Sequence, residues 1–243
     1  NAVIYAVSRD QEIFFSRLNL LGGDKLLDKF KKNCHFIPCD VNSRAAIFSQ
    51  VRYIQPDTIF HLAAQMEPLL QPGDESQVLN KNIYGLIHLL EACDTFQIFP
   101  HIINAGSSLM FGEVNSGVAN ENTPFNPLTP YGLGKVTAHQ FAHIFRTYKN
   151  QNVSTAILFN HESILRDRRW LPMKIISGSV RIKLGQMEKL KLGSVDSSRD
   201  WSFARDIVSG LFAIMEHKAI NQDFVLGSGN IMSVSDLLDI AFG

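Results

Sequence analysis

Tyr131-Gly-Leu-Gly-Lys135 is the run in this sequence best suited to chemistry. If the segment is helical, a tyrosine and a lysine four positions apart share one face. An ammonium beside a phenol favours the phenolate and draws its pKa down. A tyrosine poised in this way can take the proton of a hydroxyl while hydride leaves the same carbon. The positive charge of an oxidised nicotinamide would act in the same direction. The spacing alone recurs by chance, and its plainer reading is a surface tyrosine with a solvated lysine. Context argues for the chemical reading. Ser107 and Ser108 stand just after the apolar run His101–Asn104, where a hydroxyl can donate to the same substrate oxygen.

The elements needed to position such a set are present. Apolar runs rich in β-branched and aromatic residues lie at Ala2–Val7, His35–Pro38, Thr58–Ala63, His101–Asn104 and Val153–Phe159. Stretches with helical spacing lie between them at Ser43–Tyr53, Leu79–Phe96 and Tyr131–Tyr148. Short apolar strands separated by helices predict an α/β fold, with a parallel sheet covered on both faces. Thr129 before Pro130 reads as an N-cap with proline at the first helical position, and Ser43 reads as a second cap. Ser233 and Ser235 precede a last short helix, Asp236–Ala241. After Phe159 the pattern changes to a basic cluster (Arg166, Arg168, Arg169), a helix over Pro172–Leu184 and a strand around Glu188–Leu192. This region is expected to pack over the C-terminal ends of the sheet strands, where open α/β folds bind ligands. The expected division is a dinucleotide-binding domain over 1–159 and a mainly substrate-binding region over 160–243, with a helix at 204–217 returning to the first. A Gly-x-Gly-x-x-Gly turn is absent, so the expected fold is a Rossmann-like doubly wound sheet without its first strand and Gly-rich loop.

Composition excludes several classes. An apolar content of 45% and charged content of 19% fit a globular chain rather than a disordered one. The 23 basic and 23 acidic side chains cancel, leaving no electrostatic footprint for nucleic acid or an anionic membrane. No apolar run is long enough to span a bilayer, and no export signal opens the chain. Cys34, Cys39 and Cys93 are too few for a disulfide framework or a structural zinc site, and point to a cytoplasmic protein with reduced thiols.

Five stretches resemble the extended short-chain dehydrogenases of the NAD-dependent epimerase/dehydratase type. They are Pro56-Asp-Thr-Ile-Phe-His-Leu-Ala-Ala-Gln65, Asn82-Ile-Tyr-Gly85, Gly106-Ser-Ser-Leu-Met-Phe-Gly112, Pro130-Tyr-Gly-Leu-Gly-Lys135 and Leu158-Phe-Asn-His-Glu-Ser163. The last, with Leu184-Gly-Gln186, Leu192-Gly193 and Arg199-Asp-Trp201, is similar to the GDP-mannose 4,6-dehydratases in particular. The resemblance implies an enzyme that oxidises C4 of a nucleoside-diphosphate hexose, GDP-mannose or a derivative. Its cofactor would be NADP, with NAD the alternative, and its assembly a homodimer or homotetramer. Ser107 matches the family's hydroxyl donor, Tyr131 its base, and Lys135 the base's partner that also holds the nicotinamide ribose. Asp40 and Val41 match adenine contacts. Leu62, Ala63, Ala64 and Gln65 match the wall beside the cofactor, and His161 and Arg166 match further cofactor contacts. Arg9 matches an arginine suited to a 2′-phosphate, against which Asp10 stands beside it. Asn160 and Arg199 match residues near the substrate phosphates.

One departure bears on the reaction. The dehydratases carry a glutamate two residues after the catalytic hydroxyl to remove the C5 proton, and here that position is Leu109. A leucine transfers no proton, and Glu113 lies beyond Phe111-Gly112. Two alternatives follow: a 4-keto-sugar reductase or epimerase, and a non-catalytic relative. Other candidates read more simply. His139 and His143, four apart, lack a third metal ligand and read as ordinary helix residues. His61 reads as packed core. Asp200 reads as a partner for Arg199 that fixes a loop. Leu86, Leu89, Leu90 and Cys93 read as core, although in the family two such helices build a dimer bundle.

Overall fold

The computed structural model describes residues 2–65, 73–114, 117–217 and 221–243. Strand and helix alternate in order: β1 (Ile4–Ser8), α1 (Gln11–Asn33), β2 (Cys34–Pro38), α2 (Arg44–Ile54), β3 (Thr58–His61), α3 (Glu75–Phe96), β4 (His101–Ala105), α4 (Pro130–Tyr148) and β5 (Val153–Leu158). There follow β6 (Asn160–Glu162), α5 (Leu171–Lys183), β7 (Ser198–Phe203), α6 (Ala204–Glu216), β8 (Phe224–Leu226), β9 (Ile231–Ser233) and α7 (Val234–Phe242). The chain is α/β and Rossmann-like, as the alternation of elements predicts.

Parallel strands β3-β4-β5-β8 form one sheet, and β1 pairs in parallel with β2 in another. A doubly wound sheet runs in the order 3-2-1-4-5-6. In that scheme β1 and β2 take the second and third places, and β3, β4 and β5 the fourth to sixth. The place of the first strand falls between β1 and β3, which are not paired with each other. A third sheet, β6-β7-β9, follows the end of β5.

Two apolar layers sandwich the larger sheet. On one face Leu86, Leu89, Leu90 and Cys93 of α3 pack with Ala138 and Ala142 of α4, Val51 of α2 and Ile102 of β4. On the other, Ile207, Leu211 and Ile214 of α6 pack on Ile103, Ala105, Ala156 and Leu158. Residues of opposite parity on β4 thus feed opposite layers, as strand geometry requires.

One expectation fails, and one helix has no counterpart among the expected elements. Residues 188–192 form no strand; the second strand of this region is β7, held by parallel pairing to β6 and antiparallel pairing to β9. Its sequence, Ser-Arg-Asp-Trp-Ser-Phe, has little apolar alternation to announce it. Helix α1 is the element without a counterpart. Gly22-Gly23 interrupts its periodicity, and Gly23 adopts φ 60°, ψ −158° at a kink within it.

Candidate active site

Helix α4 begins as its sequence directs. Thr129 is the N-cap, its hydroxyl accepting from the Gly132 amide at 3.0 Å, and Pro130 takes the first turn. Two glycines let this turn approach its neighbours. A Cβ on Gly132 would lie 2.5 Å from the carbonyl oxygen of Leu109, and one on Gly134 would lie 3.1 Å from the Asn82 side chain. Close packing of α4 against the turn after β4 therefore depends on Gly132. That turn, Ser108–Met110, is capped by Ser107, whose hydroxyl oxygen accepts from the Leu109 amide at 3.3 Å. Upstream of it, Gly106 donates its amide to the Ala156 carbonyl at 2.8 Å, fixing the end of β4.

The approach brings the Ser107 side chain near enough to Tyr131 to favour its phenolate. Burial pushes the Tyr131 phenol above its ordinary pKa; the nearby Ser107 side chain and the positive field of Arg166 offset part of that rise. The expected downward pull by Lys135 is not what acts here. Lys135 lies under the ring, with Nζ 5.8 Å from its centroid, and donates to the Ala105 carbonyl at 2.8 Å. The side chain is buried, only 2% exposed, and burial lowers its pKa to about 8. His61, also buried, is held neutral with a pKa of about 3 by burial and by the nearby Lys135. It packs against Gly85, as a core residue should.

Beside this pair runs the segment after β3. Asn82 of α3 accepts from the Gln65 amide at 3.1 Å and donates to the Gln65 carbonyl at 2.8 Å. These bonds fix the backbone at Gln65, with Leu62 and Ala64 left exposed and Ala63 half-buried. The positioning role of Asn82 is not visible in the sequence, because it spans 17 residues. A buried ammonium with a carbonyl partner, next to an exposed stretch of fixed backbone, suits one wall of a nicotinamide dinucleotide site. Asp40 shapes the turn after β2, accepting from the Asn42 amide at 3.0 Å, with Val41 beside it. Ser43 caps α2, accepting from Ala46 at 3.4 Å. Arg9 is exposed at the end of β1, while Asp10 is occupied as the N-cap of α1, accepting from Ile13 at 2.9 Å.

On the substrate side, Arg166 makes a two-pronged pair with Glu162 at 2.9 and 3.0 Å and stacks over Trp170 at 4.8 Å. Glu162 was not singled out from sequence, although its spacing of four from Arg166 was readable. His161 bonds through Nδ1 to the Phe159 carbonyl at 2.8 Å. Asn160 sits on β6 opposite Trp201, and its carbonyl accepts from the Ser202 hydroxyl at 3.1 Å. Arg199 is exposed and folds back on the Ser198 carbonyl at 2.7 Å. Asp200 does not pair with it. Its carboxylate accepts from the Ser228 amide at 3.0 Å, the Ser228 hydroxyl at 2.8 Å and the Gly229 amide at 2.8 Å, so it fixes the loop before β9. Leu109 occupies the short turn beside Ser107, and Glu113 is exposed. His139 and His143 face an ion pair instead of a metal cluster: Arg146 bonds both oxygens of Asp223 at 3.0 Å, with His139 3.9 Å and His143 3.3 Å from members of the pair.

The family model for GDP-mannose 4,6 dehydratase matches residues 1–243. The chain belongs to the GDP-mannose 4,6 dehydratase family. The GDP-mannose 4,6 dehydratase 1 of Arabidopsis thaliana is 31% identical over 208 residues, covering 84% of this chain and 57% of the relative. The enzyme of that name in Homo sapiens is 29% identical over 205 residues, covering 84% and 55%. The chain thus spans little more than half the length of the curated family members it matches. In fold it is similar to a dTDP-glucose 4,6-dehydratase from Streptomyces venezuelae solved with NAD and TYD bound: TM-score 0.81, 17% identity, 99% of this chain and 80% of that one. It is also similar to RMD from Pseudomonas aeruginosa complexed with NADPH, with TM-score 0.80, 19% identity, 98% of this chain and 82% of that one. Among the described residues, no helix is long and apolar enough to cross a membrane.

Proposed function

We propose that this protein carries the catalytic residues of a nucleotide-sugar enzyme that oxidises C4 of a nucleoside-diphosphate hexose, GDP-mannose or a derivative. The observation that carries the reading is the packing of the Ser107 turn against the first turn of α4, which puts Tyr131 beside Ser107 and buries Lys135 beneath its ring. Tyr131 takes the proton of the C4 hydroxyl, whose O–H bond breaks as the C4–O double bond forms. Ser107 orients that oxygen. A bound oxidised nicotinamide supplies the acceptor for the hydride leaving C4, and its positive charge opposes the burial that holds the Tyr131 phenol protonated. Lys135 and the backbone from Leu62 to Gln65 would hold its nicotinamide half, Asp40 and Val41 its adenine, and His161 and Arg166 further parts of it. NADP is favoured over NAD by the exposed Arg9 and by the engagement of Asp10 with its own helix. Asn160 and Arg199 would meet the substrate phosphates.

In this reading 1–159 is the cofactor domain, 160–243 is mainly the substrate region, and α6 returns to the former. The exposed Tyr84, Leu133, Ile144 and Tyr148 on α3 and α4 support a homodimer or homotetramer built on those helices. Three free thiols support a cytoplasmic setting.

A second reading rests on Leu109. Without a carboxylate there, the C5 proton has no acceptor beside Ser107, and Glu162 is engaged with Arg166. A 4-keto-sugar reductase or an epimerase needs no such group. Mass spectrometry of the intact gene product with GDP-mannose and NADP separates the readings. Loss of one water from the sugar supports dehydration. NADP binding without water loss favours the second reading, which a gain of dehydration in Leu109→Glu would reinforce. Neither turnover nor NADP binding would leave a non-catalytic relative.

A further inference from the structure

Lys135, His139 and His143 stand four apart on α4, on neighbouring turns of one side of the helix. Lys135 and His139 are buried and His143 is exposed, so the ladder runs from the candidate active site to the surface. The sheet beneath it is polar where a core is ordinarily apolar. His61, Asn104 and Thr155 are register neighbours across β3, β4 and β5. Each stands two residues beyond a member of the apolar layer under α3 and α4 (Ile59, Ile102 and Val153), so all three point into that layer. All three are buried, Asn104 and Thr155 almost completely.

This polar row meets the ladder at both ends. Lys135 donates to the carbonyl of Ala105, the residue after Asn104, and its charge is felt at His61. At the other end Asp223 accepts from the Thr155 amide at 2.9 Å and lies 3.9 Å from His139 Nε2. Arg146, paired with Asp223, stands 3.3 Å from His143 Nδ1. The Phe125 ring meets His139 edge to face at 5.0 Å and closes that side. Three buried atoms here have no hydrogen-bond partner among the described residues: Asn104 Nδ2, Thr155 Oγ1 and His139 Nδ1. Orphaned buried polar atoms are rare in folded proteins, and ordered water is the usual partner. An amide donor, a hydroxyl that both gives and takes, and an imidazole nitrogen are groups that hold water in a chain.

We propose that Asn104, Thr155 and His139 enclose a short file of water through which protons pass between the surface at His143 and the Lys135 ammonium, entering from the end of α4 remote from Tyr131. The lengths fit. Neighbouring strands lie about 4.8 Å apart, and four helical positions rise about 6 Å, so one or two waters span each interval. So few waters leave the ammonium largely desolvated, in keeping with its lowered pKa. The transfer balances. An N–H bond of Lys135 breaks and its proton enters the adjacent water, which passes one of its own protons to His139 Nδ1. His139 releases the proton on Nε2 toward His143 and solvent, and the reverse order reloads Lys135. Burial lowers the His139 pKa, so the ring is neutral at pH 7, with one nitrogen able to accept while the other gives. The track rests on the reading of Tyr131 as the group that takes the C4 proton, since a base that takes a proton must be able to hand it on.

Exchange of the Lys135 ammonium protons with solvent, followed by NMR of the intact gene product isotope-labelled at the lysine nitrogens, tests the track without reference to turnover. The expected result is exchange about 10-fold slower in Thr155→Val and in His139→Phe than in the parent. Thr155→Val nearly keeps the side chain's shape and removes the hydroxyl, so it serves where His139→Phe fails to fold. Its Tm should fall by about 3 °C, because the water it held loses a partner. A rise in Tm would mark a dry hydroxyl relieved of its burial and would overturn the proposal. So would exchange in Thr155→Val as fast as in the parent, which would show that protons reach Lys135 from the cofactor side alone. Slowed exchange in a protein that oxidises no sugar would instead keep the track and remove the role read for Tyr131, so the two failures are told apart.

Discussion

Every residue of β4 and β5 is buried, whereas none of β1 is, and α1 buries no residue along 23 positions. Ser107 follows β4, and α4, which carries Tyr131 and Lys135, lies across the same sheet with six buried positions of its own. The residues proposed for proton transfer thus stand on the most completely packed part of the molecule, and those proposed for the adenine half of a cofactor on the least. A group that must hold a reacting atom within a fraction of an ångström needs neighbours that cannot move. Adenine recognition tolerates more freedom. The same contrast locates most of the folding energy, since apolar area removed from water is concentrated around β3, β4 and β5.

The sharpest test of the packed half is chemical. Tyr131→Phe removes the hydroxyl beside Ser107 and should lower turnover of the intact gene product about 1000-fold. Its Tm should stay within about 2 °C of the parent, because the ring and its packing remain. Unchanged turnover would detach the chemistry from this region.

Next in size is the ion pair behind it. Asp223 precedes β8 and receives two bonds from Arg146 and one from the Thr155 amide at 2.9 Å, tying the end of α4 to β5. Both partners are largely buried. Burial alone would raise the Asp223 pKa, but the Arg146 and Thr155 bonds outweigh it and the net shift is downward. Asp223→Ala strands the guanidinium and should cost about 3–5 kcal/mol in a urea titration. A carboxyl with a lowered folded pKa contributes stability above its unfolded value of 3.8 and loses it as pH falls through the folded one. The gap between parent and variant should therefore be full at pH 7 and close as acid is added.

The comparison is then tested directly by one truncation on each side. Ile102→Ala, in the fully buried β4, should cost about 2–5 kcal/mol. Ile13→Ala, on the exposed face of α1, should stay within about 0.5 kcal/mol. Equal costs would show that α1 is packed as tightly as the sheet and would break the contrast.

How much of this was readable follows the same division. The caps at Thr129 and Ser43, the five strands and the Ser107, Tyr131 and Lys135 set could be read because local chemistry decides them. Helix α1 could not, since Gly22-Gly23 breaks its period and its few apolar contacts give it a weak stripe. Strand β7 is polar and exists through pairing with β6 and β9, which no local window contains. Asn82 and Gln65 meet although they stand 17 positions apart, and Asp200 reaches residues 28 and 29 positions on. The direction of the Tyr131 shift was misjudged for a related reason. Spacing puts Lys135 on the right face, but only the fold shows it turned to the Ala105 carbonyl.

That orientation gives the smallest of these effects and the one that reports on the site most directly. A Lys135 pKa of about 8, against 10.5 in an unfolded chain, means that between those values the unfolded lysine holds a proton that the folded one lacks. Stability contributed by this group therefore rises with pH across that window. Buried cysteines act the other way: the Cys93 thiol is pushed up to about 12, so it stays protonated when the unfolded thiol ionises. The parent's net slope mixes the two, and only a difference isolates the lysine. Lys135→Met keeps the length and removes the charge. Without cofactor it should be more stable than the parent at pH 7, by an amount on the order of 2 kcal/mol, and the advantage should shrink as pH rises toward 10. A parent that matches the variant at every pH would mean the ammonium is solvated, and that the packed half of the molecule is open to water where the proposed chemistry needs it closed.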